Sequence, residues 1–296
     1  RSGPKVQTEL CAGHAERMSE VSTSRLVAVG TAAAAGALVL HLLRKRRRTS
    51  RSPWFGAEQE RVVKRVLLCR HGEGMHNTPD GDDRPQLHLP DPELTERGVA
   101  EARAIFADAP PGRSDFKPEV VLVSPLWRTL QTATEAMAAR PDGHRCPLVA
   151  LEVVREHNNQ NQCNHRRPIQ AAHLEAFPAV DFSGLTTEGP PPAEEQAEPY
   201  KATFGLLRRR AERALAALDA RPEERIAVVC HATFIRAVLS SVLQLGPHHA
   251  VKPPRTGRSV EVWRVETPSG ERYWELPDNR KEGQEVLRLA YRAEGL

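Results

Sequence analysis

The chain has 296 residues, 40% hydrophobic and 27% charged, with a formal net charge of +4. That is enough chain for one large domain or two modest ones with a real core, and the composition is that of a globular protein. The charge is lopsided: residues 1–61 hold eleven Lys/Arg and five Asp/Glu, or +6, which leaves −2 on residues 62–296. The folded part therefore has no basic excess, and with no stripe of basic and aromatic residues it is not read as a nucleic-acid binder. Cys11, Cys69, Cys146, Cys163 and Cys230 are odd in number and scattered, without a C-x-x-C pair. This excludes a disulfide framework and a zinc site, and fits a reducing compartment.

In chain order, residues 1–25 form a tail. Residues 26–43, LVAVGTAAAAGALVLHLL, are apolar or small apart from Thr31 and His41, and Arg44-Lys45-Arg46-Arg47-Arg48 follows at once. Eighteen helical residues reach about 27 Å, close to the thickness of a bilayer core. The segment is expected to be a membrane anchor, with the catalytic part on the cytosolic side or facing the cytosol from an organelle membrane. An organelle-targeting segment, or a helix that never inserts on a cytoplasmic protein, is the alternative. Residues 44–61 read as a basic linker, 62–267 as the folded domain and 268–296 as a C-terminal extension.

The folded part alternates strands and helices. Arg65–Cys69 is an apolar strand, and residues 74–93 are a loop rich in Asp, Pro and Gly. Thr95 is a candidate N-cap for a helix to about Asp108. Pro118–Val123 is a second strand, after which Ser124-Pro125 is expected to cap and open a helix through about Ala139. Pro147–Val154 is a third strand, and residues 157–200 show no long element. Lys201–Arg221 is a helix, Arg225–Cys230 a fourth strand followed by a helix to about Leu245, and Ser259–Glu266 with Arg272–Glu275 a hairpin. Continuous apolar strands between helices predict a three-layer α/β/α sandwich around a mostly parallel sheet. Cys69 and Cys230, inside such strands, are expected as buried thiols.

Ligands in such folds bind beyond the C-terminal ends of the strands. Three unusual groups fall there: Arg70-His71-Gly72-Glu73, then Arg128, then His231. Two arginines, two histidines and two helix N-termini would make a positive concavity suited to a phosphate dianion. Each group alone is weak, since a histidine at a strand end is often a polar cap and an arginine at a helix start is usually solvated. Their order along the chain, each on a strand–helix junction, is what carries weight.

Four stretches resemble the histidine phosphatase superfamily, the phosphoglycerate mutase-like proteins. They are Val66-Leu67-Leu68-Cys69-Arg70-His71-Gly72-Glu73 with Asn77; Leu94-Thr95-Glu96-Arg97-Gly98 with Ala100 and Ala102; Val123-Ser124-Pro125-Leu126-Trp127-Arg128-Thr129-Leu130-Gln131-Thr132-Ala133; and Val228-Val229-Cys230-His231-Ala232-Thr233-Phe234-Ile235-Arg236. The resemblance implies a phosphoglycerate mutase-like fold and phosphomonoester hydrolysis through a phosphohistidine on His71. Arg70, Arg128 and His231 would hold the phosphate, helped by Asn77. The mechanism implies no metal and no cofactor, and a phosphorylated small molecule or a phosphoprotein as substrate.

The family places an acidic proton donor shortly after the third strand, where Glu156 is preferred over Glu152. Arg155-Glu156-His157 and Cys163-Asn164-His165-Arg166-Arg167 resemble a plant and fungal branch with R-E-x-x-G and C-D-x-R-R. Asn159 replaces its Gly and Asn164 its Asp. Arg166 and Arg167 are candidates to extend the positive pocket, and His76 is a further polar group for it or a structural or peripheral one. Phosphoglycerate mutases of this type carry an E-R-H-Y-G-like stretch where this chain has Glu156-His157-Asn158-Asn159-Gln160. A mutase-type phosphotransferase is therefore the second expectation, and an inactive membrane-tethered adaptor the third.

Overall fold

The computed structural model describes residues 60–107, 116–157, 161–185, 200–244 and 251–277, with the side chains of 200–204 left out. The expected anchor at 26–43, its tail and most of the linker lie outside these residues, as does most of the extension after 277. Among the described residues no helix is long and apolar enough to cross a membrane. The chain divides into two compact units, residues 1–52 with 244–248 and the remainder. Gln244, with a φ of 55°, is the first unit's one described residue. The second unit holds the sheet and its helices.

Seven strands form one sheet in the order β4-β3-β2-β5-β1-β6-β7. These are β1 (Arg61–Arg70), β2 (Val120–Val123), β3 (Leu148–Ala150), β4 (Val180–Asp181), β5 (Arg225–Cys230), β6 (Ser259–Glu266) and β7 (Arg272–Glu275). The first five run parallel, β6 pairs antiparallel with β1, and β7 antiparallel with β6. The helices are α1 (Glu96–Ala107), α2 (Trp127–Ala138), α3 (Ala171–Ala176), α4 (Tyr200–Ala220) and α5 (Ala232–Val242). α1 packs on α2 and α4 on α5, and the two pairs lie on opposite faces, giving the expected three layers.

The central strands are apolar throughout because both faces are covered. Leu67, Cys69, Val121, Val123, Ala227 and Val229 pack against Ile105, Phe106, Leu130, Ala133 and Met137 of α1 and α2. The alternate residues Val66, Leu68, Leu122, Ile226 and Val228 are equally buried and face the α4–α5 layer. Cys69 and Cys230 are buried thiols, as expected.

Several boundaries differ from expectation. β1 begins four residues early, at Arg61, because Arg61, Val62 and Lys64 pair with Glu266, Val265 and Arg264 of β6, and the Lys64 ammonium donates to the carbonyls of Arg221 and Glu223. β3 stops at Ala150 and continues as a 3-10 turn over Glu152–Val154. Residues 161–181 contain a 3-10 turn, α3 and β4, and β4 pairs with β3 at the sheet edge. β7 pairs along β6, so the sheet runs past the expected domain end at 267. α2 begins at Trp127, and Ser124 does not cap it. The Trp127 N–H instead donates to the carboxylate of Asp91, from a distant loop, at 2.9 Å.

The register of the three central strands brings their C-terminal ends level. Arg70 lies beside Cys230 and Val123 beside Val229. The ladder then runs one residue further: His71 N–H donates to Cys230 O at 3.0 Å and Ser124 N–H to Val229 O at 3.0 Å.

Candidate active site

The loop leaving β1 is clamped on every side. Gly257 N–H donates to His71 O at 3.0 Å, and Gly72 N–H to Thr132 Oγ1 of α2 at 3.1 Å. Glu73 N–H donates to a carboxylate oxygen of Glu101 on α1 at 2.9 Å, and Gly74 N–H to Asn77 Oδ1 at 3.0 Å. Thr95 caps α1 as expected, its Oγ1 accepting Gly98 N–H at 3.0 Å. Here loop and helix touch backbone to backbone. A Cβ on Gly72 would lie 2.1 Å from Gly98 O, and one on Gly98 only 2.0 Å from Glu73 O. Only glycine fits at either position.

This places His71, 2% exposed, at the centre of a buried cluster. Its Nδ1–H donates to Gly72 O at 2.7 Å. A carbonyl only accepts, so this bond fixes the tautomer and leaves the lone pair on Nε2. That lone pair accepts the Nε–H of Arg128 at 3.3 Å. Arg128 Nη2 also donates to His231 Nδ1 at 3.2 Å, and His231 Nε2–H donates to Ser124 Oγ at 2.7 Å. One guanidinium, which can only donate, thus reads a lone pair on each imidazole. The His231 ring lies 5.2 Å from that of His71, and the His76 ring 5.6 Å away on another side. His76 belongs to the cluster rather than its periphery.

Arg128 is 1% exposed, and its other acceptors are neutral: Cys163 O at 2.7 Å and Asn164 Oδ1 at 3.1 Å. No carboxylate among the described residues hydrogen-bonds to it, so its charge is available to an anion. Asn164 uses both ends of its amide, donating Nδ2–H to His157 O at 3.1 Å. An aspartate could make only the first of these bonds.

The electrostatics keep the histidines neutral. Burial, then the charge of Arg128, pushes both His71 and His231 well below the usual imidazole range. Burial and the two arginines bring His76 down to about 3. Burial also works against the charge on Arg70 and Arg128, which carboxylates nearby partly offset. The site is a buried, positively charged cluster around neutral imidazoles.

Arg70 donates to Pro254 O at 3.1 Å and reaches the electrostatic field of Glu156 and Glu101. Glu156 is buried, its oxygens accepting N–H groups of His157 at 2.8 Å, Thr233 at 3.1 Å and Phe234 at 3.2 Å. Two of these donors form the N-terminus of α5, directly after His231. Glu156 interacts electrostatically with both Arg70 and Arg128. Glu152 is more exposed and lies in ion pairs with Arg155 at 2.7 Å and Arg166 at 3.2 Å. Arg166 is thus buried against Glu152. Arg167 lies over the Trp127 ring and donates to Pro90 O and Asp91 O. Asn77 lies in the turn beside His76, its Oδ1 taken by Gly74 N–H.

Sequence reasoning missed Ser124, Thr132 and Arg210 as supports of this site. Ser124 and Thr132 stand inside the motif around Arg128 and were legible there. Arg210, in the middle of an Arg-rich helix, carries no local signal. Among the described residues no group of three or more His, Cys, Asp or Glu is arranged to hold a metal ion.

Residues 66–275 match the family described as "Histidine phosphatase superfamily (branch 1)". Phosphoglycerate mutase-like protein 1 of Arabidopsis thaliana is 29% identical over 221 residues, covering 64% of this chain and 75% of the relative. A second Arabidopsis thaliana phosphoglycerate mutase-like protein is 26% identical over 210 residues, covering 60% and 74%. Among solved structures, a mycobacterial glucosyl-3-phosphoglycerate phosphatase has a TM-score of 0.46 at 19% identity, covering 72% of this chain and 97% of its own. The alpha-ribazole phosphatase of Shigella flexneri has a TM-score of 0.44 at 19% identity, covering 72% and 94%. The family match spans β1 to β7 and contains His71, Arg128 and His231, on an α/β sheet of the expected phosphoglycerate mutase-like kind. The chain belongs to the histidine phosphatase superfamily, branch 1.

Proposed function

We propose that the chain hydrolyses phosphate monoesters through a phosphohistidine on His71. The observation that carries this reading is the tautomer of His71: Nδ1–H is spent on Gly72 O, and Nε2 faces Arg128 with its lone pair. A neutral imidazole nitrogen of this kind is a competent nucleophile. The substrate phosphate takes the place of the imidazole lone pairs as acceptor for Arg128, joined by Arg70, the Asn77 amide and His231, whose proton then sits on Nδ1 while Ser124 Oγ–H donates to its Nε2. In the first step Nε2 bonds to phosphorus as the bond to the ester oxygen breaks. That oxygen leaves with a proton from Glu156. In the second step water attacks the phosphohistidine, giving its proton to the Glu156 carboxylate, and inorganic phosphate leaves. Such a transfer needs in-line positioning and concentrated positive charge, and the buried arginines are placed to supply it.

Glu156 is the proton donor in this reading because it lies near Arg70 and Arg128, whose charge the substrate dianion neutralises on binding, whereas Glu152 is held in ion pairs by Arg155 and Arg166. Hydrolysis rather than mutase chemistry is supported by the missing E-R-H-Y-G-like stretch after Glu156. The test is to quench turnover of a labelled phosphate monoester and recover an acid-labile phosphoenzyme. His71→Ala is expected to carry no label, and label retained there refutes the nucleophile. Phosphoglycerate given with and without bisphosphoglycerate separates the two activities: interconversion without phosphate release would establish a mutase.

A further inference from the structure

Arg210 lies on α4, and it is 3% exposed. Its guanidinium donates to three backbone carbonyls of one short stretch: Val153 O at 3.3 Å, Arg155 O at 2.7 Å and Glu156 O at 3.0 Å. The same guanidinium lies 5.7 Å from the centre of the Phe234 ring. Phe234 in turn supplies one of the N–H groups that hold the Glu156 carboxylate. Glu156 is therefore gripped at both ends, its backbone by Arg210 and its side chain by the start of α5. Carbonyls within four residues of each other do not converge on one point in a strand or in the body of a helix; a buried cation is what gathers them here.

We propose that Arg210 is a positioning residue that holds the Glu156 carboxyl where it can protonate the leaving oxygen. The inference rests on the reading of Glu156 as proton donor. Arg210 acts through the Glu156 segment, and its charge also reaches His231. Without it the three carbonyls lose their shared donor, and the Glu156 segment relaxes away from α5.

A poor leaving group needs that proton and a good one does not, which separates this role from general support of the fold. The full chain is compared with Glu156→Gln, Arg210→Met and Arg210→Lys on phenyl phosphate and 4-nitrophenyl phosphate. Arg210→Met is expected to lower kcat/KM for phenyl phosphate by roughly tenfold or more, while 4-nitrophenyl phosphate falls by less than about threefold. Arg210→Lys, with fewer and less rigidly arranged donors, is expected to lie between wild type and Met, and it carries the test if the Met variant does not fold. An equal loss on both substrates, or no loss on either, in a folded Arg210 variant overturns the inference while a discriminating Glu156→Gln leaves the donor in place. If Glu156→Gln itself fails to discriminate, the donor reading and the role of Arg210 fall together.

Discussion

Arg128 points its Nε–H at the Nε2 lone pair of His71 from 3.3 Å, so the proposed phosphate ligand and the proposed nucleophile address each other directly. The same guanidinium spans His231, Asn164 and Cys163. Four acceptors in different directions require its planar fork. Arg128→Lys keeps the charge and loses the fork, so kcat/KM on an aryl phosphate should drop by roughly 100-fold. Steady-state kinetics on the folded variant checks this, and a loss under about threefold would show that point charge alone suffices.

Asn164→Asp places a carboxylate where a neutral amide now lies 3.1 Å from Arg128. It also removes the donor to His157 O. Competition with an incoming dianion should weaken binding of orthovanadate or inorganic phosphate by about tenfold. Titration calorimetry on both proteins is the measurement; equal affinity would mean that Arg128 does not face the bound anion.

Gly72→Ala and Gly98→Ala each drive a methyl into backbone, at 2.1 and 2.0 Å. The loop and α1 must separate, which should cost about 3 kcal/mol or more and abolish activity through His71. Gly81→Ala meets nothing within 4 Å and serves as the control. Denaturant titration of the three variants decides, and a Gly98→Ala as stable as Gly81→Ala would contradict the close packing.

Acid should act on stability before it acts on carboxylates. His71, His76 and His231 all have folded values below that of a free imidazole, chiefly through burial. The unfolded chain therefore binds protons that the folded chain refuses. Their stabilising contribution is complete above about pH 6.5 and is progressively lost as the pH drops below it. His173, also lowered by burial, adds in the same direction. Urea midpoints at pH 7, 6 and 5 should decline steeply, and a flat series would sink the assignment of neutral buried histidines. Activity by this mechanism should persist below pH 6.5 for as long as the protein stays folded, because His71 Nε2 remains unprotonated there.

The sheet, the three junctions and the residues on them were readable because each signal is local. An apolar run ends, a charged residue or histidine follows, and a helix begins. Most boundaries that went astray were set by partners far away. Ser124-Pro125 looks like a cap, but Asp91 supplies the acceptor for Trp127 N–H across 36 residues, which frees the Ser124 hydroxyl for His231. Lys64 looks like a surface charge, yet carbonyls just after α4 make it an interior residue, and pairing with the distant β6 lengthens β1. Position alone left Glu152 and Glu156 as rivals; only folding shows one among arginine side chains of its own segment and the other at the start of α5. Arg210 had no signal at all, since its partners are main-chain carbonyls that any sequence would offer.

The position of β5 between β1 and β2 also imposes an order on assembly. The loop bearing His71 and the helix bearing Arg128 leave the ribosome first, but the strands beneath them are not neighbours. They are separated by a gap of one strand, about twice 4.8 Å, until Arg225–Cys230 arrives to fill it and His231 comes with it. A nascent chain stalled before residue 225 would thus hold most of the motifs and none of the pocket. If the chain works as proposed, activity should emerge during translation only once β5 and the clamp at Pro254 and Gly257 have both been made.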